Sequence, residues 1–242
     1  MNGGCTAVFY TAEERVMTMQ KQELAGARWA YRVLFILHCV MIACTGRART
    51  NDHLPDGFAD IGREVPNCVI DIRYATNKNF MGRPIDGYRA KRAWGARSMV
   101  EALKRVQDDL APLGFRLKVF DAYRPMRAES DMIRWGIDTG RRELLGVYLP
   151  SRVNPTARFG HVCGNMIDVT IVDESGRELD MGTEFDEFSE RAWTRNAAGT
   201  VMKNRILLQK AMRVRGFTPY EKEWWHFTYY AAPHSALDVP IE

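Results

Sequence analysis

A chain of 242 residues is long enough for one domain with a substantial core, and 46% hydrophobic with 26% charged residues is ordinary globular composition. The net charge of +4 comes from scattered basic residues with no long Lys/Arg run, which argues against a nucleic-acid partner. Five cysteines without a CxxC pair argue against a structural zinc knuckle.

In chain order, residues 1–32 are mixed and unpatterned, with Arg28 and Arg32 just ahead of a compact apolar run at 33–44. That run falls short of the roughly 20 residues a transmembrane span needs. A basic flank, a short apolar run and then small residues is the layout of a secretory signal, so residues 1–48 are assigned to export. Counted from Met1 the leading region is long; Met17 or Met19 gives a more usual signal. Met41-Ile42-Ala43-Cys44 reads as an imperfect lipobox, which would lipidate Cys44 and anchor the chain to a membrane. The alternative is cleavage after Gly46-Arg47-Ala48, giving a soluble periplasmic protein. The competing reading of 33–44 is a buried helix of the folded domain. Once the segment is removed, Cys68 and Cys163 remain, either as one disulfide or as two small buried apolar residues.

Residues 49–57 are polar with a proline, and 49–65 is taken as a linker ahead of a single catalytic domain at 66–242. Residues 69–74 alternate as a half-buried strand, and 77–88, rich in Asn, Gly and Pro, should be irregular. Within 93–113, Met99, Leu103, Val106 and Leu110 form one face of a helix stopped by Gly114. A strand at 115–120 runs into Asp121-Ala122-Tyr123-Arg124-Pro125; the proline bars its continuation, and 127–135 is helical again. Residues 136–159 lack a period and read as a loop or lid. A strand is expected at 166–172, an amphipathic helix at 199–214 and a last strand at 224–230. This mixture lacks βαβ regularity, so the expected fold is α+β: one domain with a central antiparallel sheet packed by helices and a metal site on the sheet.

His161 and Asp168 carry the first chemical signal. Seven residues apart on a continuous strand they would face opposite ways, so they share a metal only if the chain turns between them, and Gly164 permits that turn. Otherwise they are a loop histidine and a strand-start aspartate with no common role. A third ligand is on offer in Glu223-Trp224-Trp225-His226, where Glu223 meets His226 only across a bend. The two tryptophans either wall off water or simply pack in the core. Two His, one carboxylate and an open position would need a separate base, for which Glu223 is the candidate. Arg124, stiffened by Pro125, is either an oxyanion stabiliser or a surface ion-pair partner.

Several motifs then converge. Ile72-Arg73-Tyr74-Ala75-Thr76, Asn79-Phe80 with Gly82, Asp86-Gly87-Tyr88, the Asp121–Pro125 motif with Arg127-Ala128, His161-x-x-Gly164-x-x-x-Asp168, Met181-Gly182-Thr183-x-Phe185-Asp186 and Glu223-Trp224-Trp225-His226 occur in this order. Together they resemble the D-alanyl-D-alanine dipeptidases, the VanX-type zinc peptidases of bacterial cell-wall metabolism. The resemblance implies one zinc ion per subunit on His161, Asp168 and His226, with Glu223 as catalytic base and Arg124 steadying the tetrahedral intermediate. It also implies that Asp186 holds the substrate ammonium and that Tyr74 lines a closed dipeptide pocket. The sequence departs from the family where Ser is usual two positions before the first His, here Phe159. It departs again at Val162 and Cys163, and at Met166 and Ile167 before the Asp.

Three activities follow as expectations. The first is hydrolysis of D-Ala-D-Ala outside the cytoplasm, in recycling or glycopeptide-resistance metabolism. The second is a zinc D,D-carboxypeptidase on peptidoglycan stems, against which Asp186 argues because a stem has no ammonium there. The third is a catalytically dead wall-binding module, against which Glu223 and Arg124 argue. The substrate is a small molecule, no nucleic acid is expected, and the sequence leaves the oligomeric state open.

Overall fold

The computed structural model describes residues 54–242. The export segment, the lipobox Cys44 and the choice of start codon lie outside the described residues.

In chain order the elements are β1 (Phe58–Asp60), α1 (Ile61–Glu64), β2 (Val69–Ile70), β3 (Trp94–Ala96), α2 (Arg97–Leu110) and β4 (Arg116–Asp121). They continue with α3 (Met126–Asp138), β5 (Met166–Val172), α4 (Gly199–Val214), β6 (Phe217–Pro219) and β7 (His226–Tyr229). Strands β1 and β3 form a small antiparallel pair, and the central sheet runs β2-β4-β5-β7-β6. Every pairing in that sheet is antiparallel except β2 with β4, so the α+β architecture holds with one parallel edge.

The helices form where the apolar spacing puts them. On α2, Met99, Leu103, Val106 and Leu110 are all buried, and the helix packs on β4 and α4. The chain then passes through a short 3₁₀ turn to Gly114, whose φ of 76° is the left-handed conformation that glycine adopts cheaply. Strand β5 and helix α4 have the expected limits.

Three expectations need correction. The linker does not extend to residue 65: β1 and α1 are folded, with Phe58 and Ile61 buried against the core. Three apolar-leaning residues are too few to show a period, which is why composition hid them. The strand at 69–74 is only β2; after Ile70 the backbone turns into a 3₁₀ helix, Arg73–Ala75, that still buries Ile72 and Tyr74. The last strand begins at His226, because Glu223 N–H to Tyr220 O and His226 N–H to Glu223 O make a turn of the residues before it. The two remaining cysteines are free thiols: Cys163 is buried beside the Ala157 carbonyl and Cys68 is half-buried. They match the small-apolar reading, and burial pushes the Cys163 thiol up to about 11 and the Cys68 thiol up to about 12.

Candidate active site

Sheet register assembles the centre. Asp168 on β5 lies opposite His226 on β7 and, across the other edge, opposite Asp121 at the end of β4. The register shifts between Val119 and Asp121, a bulge of the kind that re-aims side chains beside functional sites. His161 arrives from outside the sheet on a 3₁₀ turn, His161–Cys163, and Gly164 with φ of 66° reverses the chain so that Asp168 can face it. A side chain at Gly164 would run into the Phe58 ring and crowd the Ala96 N at 3.0 Å, so both backbone freedom and close approach demand glycine here.

The ligand atoms of His161, Asp168 and His226 all lie within 4.8 Å of one another. His226 Nδ1 is 3.0 Å from Asp168 Oδ1 and 3.3 Å from His161 Nε2. His161 Nδ1 donates to the Ala122 carbonyl at 2.7 Å, which fixes the tautomer and leaves Nε2 with its lone pair toward the cluster. Burial depresses the pKa of His226, with His161 and Arg124 adding to the effect against the pull of Asp168. Burial opposes ionisation of Asp168, yet the two imidazoles outweigh it and hold its carboxyl well below the usual range. A neutral imidazole and an ionised carboxylate are the forms that bind a metal, and two ring nitrogens with one carboxylate oxygen suit zinc.

Arg124 follows β4 and is buried. Its Nε and Nη2 donate to Asp121 Oδ2 at 3.0 and 2.9 Å, its Nη2 is 3.8 Å from Asp168 Oδ2, and its guanidinium lies 5.3 Å from the centre of the Tyr74 ring. The bonds to Asp121 use Nε and Nη2 and leave Nη1 outside that fork. Glu223 is buried at the turn before β7, with Oε2 3.5 Å from His226 Nδ1. Burial raises its carboxyl well above the ordinary range, and Asp168 and Asp186 add to the shift. Asp186 sits in the left-handed region at φ of 63°. Its Oδ1 accepts from Tyr74 OH at 3.0 Å, while Oδ2 is buried with no partner. Burial, then Asp168, pushes its pKa up as well.

These side chains line a cavity of about 170 Å³, walled also by Trp225, Met166, Gly160, Glu129, Tyr148 and Pro150. All seven residues singled out from the sequence therefore meet in one place. The family model for D-Ala-D-Ala dipeptidases of peptidase family M15 matches residues 55–240. The chain belongs to that family. It is 33% identical over 197 residues to the D-alanyl-D-alanine dipeptidase of Streptomyces coelicolor, covering 76% of this chain and 98% of the relative. The enzyme of the same name from Enterococcus faecalis is 29% identical over 75% of this chain and 95% of its own length. That from Escherichia coli is 31% identical over 70% and 83%. A solved LD-carboxypeptidase is a more distant likeness, with 18% identity, a TM-score of 0.42, and coverage of 74% of this chain and 72% of that one. As a member of the family the chain is a peptidase.

Of the residues that depart from the family pattern, Met166 lines the cavity. Val162, Cys163 and Ile167 are core residues, and Phe159 is exposed and packs edge-on to Tyr230 at 5.1 Å. Both tryptophans are buried; Trp225 also walls the site, and Trp224 Nε1 donates to Thr183 Oγ1 at 2.8 Å. Segment 136–159 is mostly irregular and contributes Tyr148 and Pro150 to the cavity, with Tyr148 held by Trp193 Nε1 at 3.0 Å. Sequence reasoning missed three residues. Asp121 braces Arg124, takes Tyr88 OH at 2.6 Å and lies 3.4 Å from His161 Nδ1. Asn165, fully buried, accepts from Gly160 N–H and donates to the Arg158 and Ala232 carbonyls, tying down the His161 loop. Glu129 lines the cavity. Asp121 stood inside a quoted motif and was readable; the other two carry no signal in sequence.

Proposed function

We propose that this peptidase hydrolyses D-Ala-D-Ala, holding zinc on His161, Asp168 and His226. The observation that carries the reading is the buried, unpartnered Oδ2 of Asp186 in the same small cavity as the ligand cluster. A buried carboxylate oxygen left unsatisfied is costly, and a substrate ammonium is the partner that removes the cost. An ammonium anchored so close to the reacting centre restricts the substrate to a short peptide with a free amino end. This favours a dipeptide over a peptidoglycan stem.

Zinc, when bound, lowers the pKa of a water and polarises the scissile carbonyl. The protein's own residues do the rest. Tyr74 and Asp186 fix the ammonium, and Glu223 accepts a proton as water adds to the carbonyl carbon. Glu223 then gives that proton to the leaving amine as the C–N bond breaks. Arg124 Nη1, with the rest of its fork held by Asp121, donates to the oxyanion of the tetrahedral intermediate. Wall-derived dipeptide is the substrate source that fits an exported enzyme, a placement that rests on the sequence of residues 1–48; a mature N-terminus still preceding residue 33 would rule it out.

The test is release of D-alanine from a panel of dipeptide stereoisomers by zinc-loaded protein, beside Glu223→Ala. The expected result is turnover of D-Ala-D-Ala that Glu223→Ala lowers by about 10²–10⁴-fold. Release from a pentapeptide stem but not from the dipeptide would establish a D,D-carboxypeptidase instead. Peptidoglycan binding without turnover would establish a wall-binding module.

A further inference from the structure

The cavity has more acidic side chains than the proposed reaction uses. Asp168, Glu223, Asp186 and Glu129 all line it, beside the two imidazoles and Arg124, and Arg124 is already paired with Asp121. Asp168 goes to the metal, Glu223 to proton transfer and Asp186 to the ammonium. Glu129 has no task. It projects from the first turn of α3, half-buried, into the space walled by His161, Gly160, Tyr148 and Pro150. Among the described residues its carboxylate makes no hydrogen bond and no ion pair. An acid in the first turn of a helix is favoured by the helix dipole wherever it points. That accounts for an acidic residue at this position, but not for its side chain lining a reaction cavity without a partner.

A divalent ion offsets Asp168 and one further carboxylate, and a zwitterionic dipeptide adds no net charge. Burial raises the pKa of Glu129, with Arg124 and His161 opposing the shift, so this carboxyl gains from a cationic partner in a low-dielectric setting, where Coulomb terms are large. We propose that Glu129 is a specificity-determining residue, a second anionic subsite that selects dipeptides carrying a cationic side chain, an amine or guanidine, over neutral ones of the same shape. This rests on the dipeptidase reading and extends it: D-Ala-D-Ala remains a substrate, and D-dipeptides with one basic residue are preferred to neutral ones of the same shape.

The experiment compares isosteres that differ only in charge: D-Ala-D-2,4-diaminobutyrate against D-Ala-D-norvaline, and the same pair with the variable residue first. Turnover is measured on the zinc-loaded wild-type protein, and equilibrium binding by calorimetry on zinc-loaded Glu223→Ala. The expected result is a preference of about tenfold for the cationic member at one of the two positions, in kcat/KM and in affinity. That ratio should fall to near one with Glu129→Gln and be largely kept by Glu129→Asp. Thermal melts of both Glu129 variants check that the fold persists. A ratio near one in the wild type, or one unchanged by Glu129→Gln, overturns the assignment. If neutral dipeptides turn over without charge preference, only the role of Glu129 falls. If no dipeptide turns over, the dipeptidase reading falls with it.

Discussion

Asp121 is where the design of this site is most exposed to a single change. Its carboxylate is fully buried and takes hydrogen bonds from Tyr88 OH at 2.6 Å and from Arg124 Nε and Nη2 at 3.0 and 2.9 Å. Asp121→Asn keeps the volume and one acceptor oxygen but removes the charge. Arg124 is then left with Asp168, 3.8 Å from Nη2, as its nearest carboxylate. Uncoupling a buried ion pair by neutralising one partner costs about 3–5 kcal/mol, and the retained amide oxygen places this case near 3. In a domain of this size that corresponds to a fall in Tm of about 6–12 °C. The released guanidinium also competes for Asp168, so zinc affinity should drop about 10–100-fold, as it does when an outer partner of a ligand is lost. Thermal melts of the metal-free protein and zinc titrations by calorimetry read the two effects separately. Tyr88→Phe is the control, because it removes one hydrogen bond and leaves the ion pair. Asp121→Asn with Tm within 2 °C of wild type and unchanged zinc affinity would refute the bracing argument.

Gly164→Ala forces a Cβ into the Phe58 ring at a left-handed φ, so denaturant unfolding should lose about 2–5 kcal/mol, and a loss under 1 kcal/mol would show that the turn relaxes. Zinc should raise the stability of the metal-free protein by about 1.4 kcal/mol for each tenfold excess over its dissociation constant, and His226→Ala should abolish that dependence. A His226→Ala protein still stabilised by zinc would mean that the ligand set is wrong. Asp131 is held below its ordinary pKa of 3.8 chiefly by the Arg83 fork, at 2.7 and 2.9 Å. A depressed carboxyl adds stability that is complete above the unfolded value and lost as pH falls through the folded one. The Tm gap between wild type and Asp131→Asn should therefore be constant from pH 5 to 7 and close below about pH 4; a gap that widens in acid contradicts the pairing.

What could be read in the sequence divides along physical lines. Helix faces such as Met99-Leu103-Val106-Leu110 repeat with the helical period, and Met166–Val172 is a long enough strand to stand out. Strands β1 and β3, three residues each, exist because they pair with one another, and nothing local announces a partner 38 positions away at register Phe58↔Ala96. The site residues were legible as a string of motifs, and the need for a turn at Gly164 and a bend before His226 followed from side-chain alternation alone. Glu129 and Asn165 were not legible. A glutamate in a first helical turn looks like any dipole-favoured acid, and an asparagine beside a glycine looks like a loop.

The motif string and the geometry are joined by sheet register. Asp121, Asp168 and His226 stand side by side on β4, β5 and β7 because Asp168 pairs with both neighbours. A slip of one residue would turn Asp168 to the other face of the sheet and away from both imidazoles. The register is held from two sides. Ile167, Val169 and Ile171 are all buried in the core on the face opposite Asp168, so a slip would carry the whole apolar set to the site face and Asp168 into the core. On the β4 side, the shift between Val119 and Asp121 absorbs one residue, placing Asp121 and the Arg124 that follows it against Asp168. The core that stabilises the sheet is therefore also what positions the reacting groups, and substitutions at Ile167 or Val169 should cost metal affinity as well as stability although neither side chain lines the cavity.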